Sequence, residues 1–347
     1  MFLLIGLPLV LAALAMATSV SGEHEYSRTL LRNLRYVLFA EFGFFVIIAS
    51  IGAAYESASA RRDRETYHPP GKLIDIGGYR LHLNCSGQGS PTVVLDFGLD
   101  GSYLDWYRVQ PEVARFTRVC SYDRAGYGWS DTTSKPRLPS ILAEELHTLL
   151  AAAGEKPPYI LVGHSMGSFN ALMFAHHYRA EVMGLVLVDG AHPDELLPFY
   201  FDKRLWLRLM QFTMPFGLPR WRGWCGSGPQ EIAGMKQAIG CQAHVYATHY
   251  AQWATFPGAA DEVRPLQNFG NLPLVVISRD PDRSKDDDDV WGKREQHWSG
   301  LQKRLLDLST NRTQIIATGS GHSIPMQRPD VIVDAVKKLI SPRGASN

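Results

Sequence analysis

Residues 163–167 read Gly-His-Ser-Met-Gly, a serine between two glycines. The apolar run 159–163 leads into them as a strand, and residues 167–178 continue as a helix. A serine at so sharp a strand-to-helix turn takes a strained backbone, so the positions two residues away must be small. The turn lifts the Ser165 hydroxyl above the strand ends, at a helix N-terminus where free N–H groups and the helix dipole favour negative charge. That placement suits a nucleophile. A serine hydroxyl needs a base beside it to attack.

The chain has 12 histidines, so the base is chosen by placement. Gly319-Ser320-Gly321-His322 directly follows a strand at 313–317, and a glycine-bracketed loop there can bring His322 back over the serine. His164 is adjacent to Ser165, but neighbours at such a turn point apart, which makes it a packing residue. His176, His177, His244 and His249 lie in helical patterns. A base of this kind needs a carboxylate to fix its tautomer. Asp282, four residues past a strand at 274–278, is the preferred candidate. Asp280 could act from a different turn, and Asp189, after the preceding strand, is the runner-up with a structural role expected for it. For the oxyanion of a tetrahedral intermediate, the candidate donors are the Met166 N–H and the Leu99 N–H in the loop Phe97-Gly98-Leu99-Asp100-Gly101-Ser102.

These residues need a scaffold. Residues 72–76 and 79–85 form a hairpin across Gly77-Gly78, and 92–96 is a buried strand. Strands at 118–122, 159–163, 183–188, 274–278 and 313–317 then alternate with helices at 140–153, 167–178, 296–308 and 329–340. The pattern predicts an α/β fold, a mostly parallel sheet with helices on both faces. About 80 residues between Gly190 and Asn271 break the alternation; rich in Trp, Phe, Met, Leu and Pro, they read as a helical cap.

Composition narrows the function classes. Lys plus Arg (35) and Asp plus Glu (34) nearly cancel, which gives a nucleic-acid partner no electrostatic support. The four cysteines lack zinc-ligand spacing; inert core thiols are the preferred reading, with two buried pairs, suited to an oxidising compartment, as the alternative. No cofactor or metal is implied. Residues 1–20 hold no charged side chain and residues 36–55 only Glu41, and each stretch is long enough to cross a bilayer core of roughly 30 Å. The expectation is a transmembrane hairpin, with a cleaved signal peptide plus one span as the alternative, so localisation is to a membrane. Arginines on both sides of the second stretch leave orientation open. The expected division is an anchor over 1–55, a polar linker over 56–70, a core over 71–190 and 272–342, and the cap over 191–271.

The chain resembles the α/β-hydrolase superfamily from about Gly71 to Pro342. The resemblance rests on VVLDFGLDGSYLDW at 93–106, YDRAGYGWS at 122–130, the 163–167 pentapeptide and Gly321-His322. It implies an eight-stranded sheet, a cap between the sixth and seventh strands, and an acid after the seventh strand, which the spacing from Pro273 puts on Asp282. Family members often carry His-Gly in the oxyanion loop, where this chain has Phe97-Gly98. Serine in the elbow argues against haloalkane dehalogenases and most epoxide hydrolases, which use aspartate. The expected function is a serine hydrolase acting on a small or hydrophobic ester. Amide, thioester, carbon–carbon or lyase chemistry with the same triad, and a non-catalytic ligand-binding homologue, are the alternatives.

Overall fold

The apolar runs between residues 72 and 317 assemble into one eight-stranded sheet in the computed structural model, which describes residues 24–195, 200–226, 228–266, 268–284 and 289–341. A long helix α1 (His24–Thr66) precedes β1 (Lys72–Asp75), β2 (Arg80–Ser86), β3 (Thr92–Asp96) and β4 (Arg118–Tyr122). Then come α2 (Pro139–Ala153), β5 (Tyr159–His164), α3 (Gly167–His177) and β6 (Val182–Val188). Helices α4 (Tyr200–Thr213), α5 (Gln230–Gly240) and α6 (Ala243–Val263) separate β6 from β7 (Leu274–Arg279), and α7 (Asp289–Leu305), β8 (Arg312–Ala317) and α8 (Pro329–Ile340) complete the order.

The sheet runs β1-β2-β4-β3-β5-β6-β7-β8. Pairs β1–β2 and β2–β4 are antiparallel and the remaining pairs parallel. Strand side chains alternate between faces, and the core divides accordingly. Val94, Leu161, Leu185 and Val276 pack with Leu146 of α2 and Phe169 and Phe174 of α3. Their neighbours Val93, Ile160, Val186 and Val275 pack with Ile332 and Val336 of α8 on the other side. Because β3, β5, β6, β7 and β8 are parallel, the loops at their C-terminal ends share one edge, where an open α/β sheet binds its ligands.

Two expectations are corrected. The stretch 56–70 is not a separate linker: α1 continues to Thr66, since neither Gly nor Pro occurs between Gly52 and Pro69. It also docks. Arg220, buried in the turn Leu218–Trp221, pairs with Glu56 at 2.9 Å and with Asp63 at 2.6 Å. The cysteines are not free thiols either. Cys85 and Cys120 stand opposite each other on β2 and β4 and form a disulfide, and Cys225 bonds Cys241 across the start and end of α5's surroundings. Antiparallel neighbours bring cysteines within bridging distance, and β2–β4 pairing is not visible in local sequence.

Residues 1–20 lie outside the described residues. The second apolar stretch falls in α1, where an 18-residue window has mean hydropathy 2.2 and none of it is buried within the protein.

Candidate active site

Ser165 joins β5 to α3 with φ +52°, the left-handed conformation a sharp elbow demands. A Cβ on Gly163 would lie 2.5 Å from the Gly167 carbonyl oxygen, and one on Gly167 would lie 2.4 Å from that of Asp96. Neither position admits a side chain. The elbow is held from both ends: Ser165 N–H donates to the Val188 carbonyl, while Ser165 O accepts from Ser168 and Ala191, all at 3.0 Å.

His322 sits after β8 and donates from Nδ1 to Asp189 Oδ2 at 2.5 Å. Sequence reasoning preferred Asp282, and the geometry corrects this. Asp282 is exposed on the turn Pro281–Ser284, its N–H bonded to Asp280 Oδ1 at 2.9 Å. Asp189 is fully buried directly after β6, and its φ of +43° turns it out of the strand path. Trp298 Nε1 (2.8 Å) and Arg279 N (3.2 Å) both donate to its Oδ1. Burial pushes its carboxyl up, but the hydrogen bond and charge of His322, with Arg279 and Trp298, outweigh this and hold it below the usual range. The residue therefore carries structural hydrogen bonds and the histidine contact together. Asp280 has a positioning task of its own, accepting from Gly319 N at 2.7 Å and so bracing the loop that carries His322.

His164 packs as expected. Burial, reinforced by His322, pushes its imidazole down to about 3, so it is neutral near pH 7. Its Nε2–H donates to the His322 carbonyl at 2.9 Å, which steadies the loop from the opposite side.

Ser165, His322, Leu99 and Met166 line one cavity of about 700 Å³. A second cavity of that volume, bordered by His192, Arg264 and Arg304, contains none of them. Among the described residues, the amides of Leu99 and Met166 have no hydrogen-bond partner. The loop that offers Leu99 is gripped by Arg124, a residue missed at the sequence level although it lies in the 122–130 string. Its guanidinium is buried over the Phe97 ring, with the centroid 3.7 Å away, and pairs with Asp96 at 2.5 Å. It also donates to the carbonyls of Phe97 and Gly98, each at 2.7 Å. A trans peptide points its C=O and N–H in opposite directions, so pinning the Gly98 carbonyl fixes the Leu99 N–H on the other side. Arg124→Ala leaves Asp96 as a buried carboxylate without its cation and is expected to cost about 3–5 kcal/mol in urea unfolding.

Two further wall residues carried no sequence pattern. Asp100, at φ +59°, ties the 97–102 loop to the region between β6 and β7 through Lys203 (3.0 Å), Trp253 Nε1 (3.1 Å) and His249 (3.4 Å). Burial pushes the Glu195 carboxyl up to about 7, with His322 and Arg279 opposing and Asp189 assisting. An acid whose folded pKa is raised favours the folded state at low pH and costs stability as pH climbs from its unfolded value, about 4.3, through the folded one. Glu195→Gln is accordingly expected to raise the melting temperature by a few degrees at pH 8 and to leave it unchanged at pH 4.

Comparison with known proteins decides the family. The model of the alpha/beta hydrolase family matches residues 89–335, most of the chain. The chain belongs to the alpha/beta hydrolase family. This hydrolase is 27% identical over 263 residues to the uncharacterized protein YqjL of Bacillus subtilis, a match covering 75% of this chain and 88% of YqjL. It spans 54% or less of the length of the next curated relatives. Among solved structures it is similar to the Cif epoxide hydrolase from Acinetobacter nosocomialis, with TM-score 0.64 and 12% identity over 83% of this chain and 97% of that one. It is likewise similar to a thermophilic esterase from Thermogutta terrifontis, with TM-score 0.56 and 19% identity over 77% and 96%. At these identities the structural likeness shows the fold of this hydrolase and leaves its reaction to the site.

Proposed function

We propose that this hydrolase is a membrane-anchored serine esterase that cleaves a hydrophobic carboxylic ester through an acyl-enzyme. The observation that carries the reading is the Nδ1 contact of His322 with buried Asp189, in a loop that shares Ser165's cavity. With Nδ1–H committed to Asp189, the His322 Nε2 carries the lone pair and is the base. It takes the Ser165 proton as Oγ attacks the ester carbonyl, and the oxyanion forms against the Met166 and Leu99 N–H groups. The tetrahedral intermediate collapses, and the alcohol leaves with the proton held by His322. Water, deprotonated by the same imidazole, attacks the acyl-enzyme and releases the acid and Ser165.

Leu99, Trp253, Phe256 and Met326 give the cavity apolar walls suited to a hydrophobic acyl chain. The unburied apolar window of α1 supports anchoring in a bilayer, and two disulfides favour an oxidising compartment for the hydrolase domain. No nucleic-acid partner enters this reading. The test is a substrate panel: p-nitrophenyl esters of increasing acyl length beside an amide, a thioester and an epoxide. Ester turnover with kcat/KM rising with chain length is expected. Turnover of the amide or the epoxide with none of the esters would overturn the ester assignment.

A further inference from the structure

Helix α4 is apolar on two faces. Leu207, Met210 and the following Met214 are buried against the Cys225–Cys241 disulfide and Tyr246. Leu205, Leu209 and Phe212 follow one another at steps of four and three residues, which places them on one stripe, and Phe216, in the 3-10 turn Met214–Phe216 after the helix, has its ring 6.1 Å from that of Phe212; all four are exposed, Phe212 by 70%. A helix facing water would carry charges there. Arg208 flanks the stripe but stacks away onto the Tyr250 ring, its guanidinium 3.7 Å from the centroid. Trp221, 69% exposed, and Trp224 extend the apolar surface, with the Arg222 guanidinium within 5.8 Å and 5.2 Å of the two rings. So much contiguous exposed apolar surface marks an interaction site.

What covers it follows from where it meets α1. A Cβ on Gly52 would lie 2.2 Å from the Phe216 carbonyl oxygen, so the α1 backbone rests directly on the end of the stripe. Further along α1, Glu56 and Asp63 pair with Arg220, and a Cβ on Gly234 would touch the Tyr67 hydroxyl at 2.1 Å. The region between β6 and β7 is thereby fixed along α1 from residue 52 to residue 63, and again at Tyr67 just past its end. At 1.5 Å per residue the apolar stretch 36–55 spans roughly 30 Å, one bilayer core. Gly52 lies in its last turn. Phe216 is therefore level with the edge of the hydrocarbon, and the turn Leu218–Trp221 packs against α1 just beyond it, through Arg220 on Glu56 and Asp63. Exposed aromatic rings beside arginine are the chemistry of a membrane–water interface.

We propose that the outward face of α4, with Trp221 and Trp224, lies in the interfacial layer of the same bilayer that α1 crosses. The proposal rests on reading α1 as a membrane span.

The test uses the full chain reconstituted in phosphatidylcholine–phosphatidylglycerol vesicles, with a nitroxide on Phe212→Cys or Trp224→Cys. The described cysteines are all in disulfides, so the label goes to the introduced thiol. Ile47→Cys in the apolar stretch and Lys156→Cys, exposed far from α4, are the references. Variants that still react with a fluorophosphonate at Ser165 are taken as folded. Labels at 212 and 224 are expected to be relaxed more strongly by oxygen than by a water-soluble nickel chelate, as at 47 and in reverse of 156. If 47 reads as lipid while 212 and 224 behave like 156, the proposed seating is wrong. If 47 itself reads as water, the span is wrong and the seating falls with it, whereas ester turnover by the soluble panel stands or falls separately.

Discussion

Ser165→Ala and His322→Ala are each expected to lower kcat on the best ester by about 10⁴–10⁶, and the double variant to lose no more than the worse single one. The non-additivity follows from the site. Ser165 without an imidazole keeps its proton, and His322 without the hydroxyl has nothing to deprotonate, so either deletion removes the same step. What survives is the contribution of the Leu99 and Met166 amides and of substrate binding, roughly 10³–10⁴ over water in comparable machinery. The measurement is pre-steady-state and steady-state hydrolysis of a p-nitrophenyl ester, with the burst lost in both singles. Additive losses in the double variant would mean that the two residues act in separate steps.

The second large effect separates the two candidate acids. Asp189→Asn is expected to reduce kcat by about 10⁴, because an amide at Oδ2 no longer selects the Nδ1–H tautomer and cannot stabilise an imidazolium. Asp282→Asn is expected to leave kcat within about threefold, since the residue is exposed on the 281–284 turn while His322 Nδ1 is taken by Asp189. Because Asp189 also accepts from Trp298 and Arg279, urea unfolding accompanies the kinetics. A variant that is folded at the assay temperature and still slow assigns the loss to catalysis. Equal activity of Asp189→Asn and wild type, with Asp282→Asn inactive, would reverse the assignment.

The elements that form the sheet were legible from sequence because each is a short apolar run with its own boundary. Val93 to Leu95, Ile160 to Val162 and Leu185 to Val188 are nearly fully buried, so no polar face confused the pattern. The elbow was legible for a steric reason, since Gly163 and Gly167 stand where a Cβ would strike backbone. The acid was not. Asp189 and Asp282 both follow strands, and the choice turns on a positive φ at 189 and on the seat made by Arg279 and Trp298, which come from β7 and α7. Arg124 was hidden for a similar reason: its contacts with Asp96, Phe97 and Gly98 join the C-terminal ends of β3 and β4, adjacent in space but distant in sequence. The polar stretch after residue 55 read as a linker because local sequence carries no trace of Arg220, which turns Glu56 and Asp63 from solvated charges into docking groups. The disulfides depended equally on pairings set by the fold.

The proposed mechanism requires Ser165 to be an activated nucleophile served by His322. Intact membranes carrying the full chain are treated with a fluorophosphonate, digested, and the adduct located by mass spectrometry. A single modified site is expected, on the peptide containing Ser165, with modification slowed by orders of magnitude in His322→Ala. A folded wild-type protein that takes up no label, or takes it up on a serine other than Ser165, would contradict it.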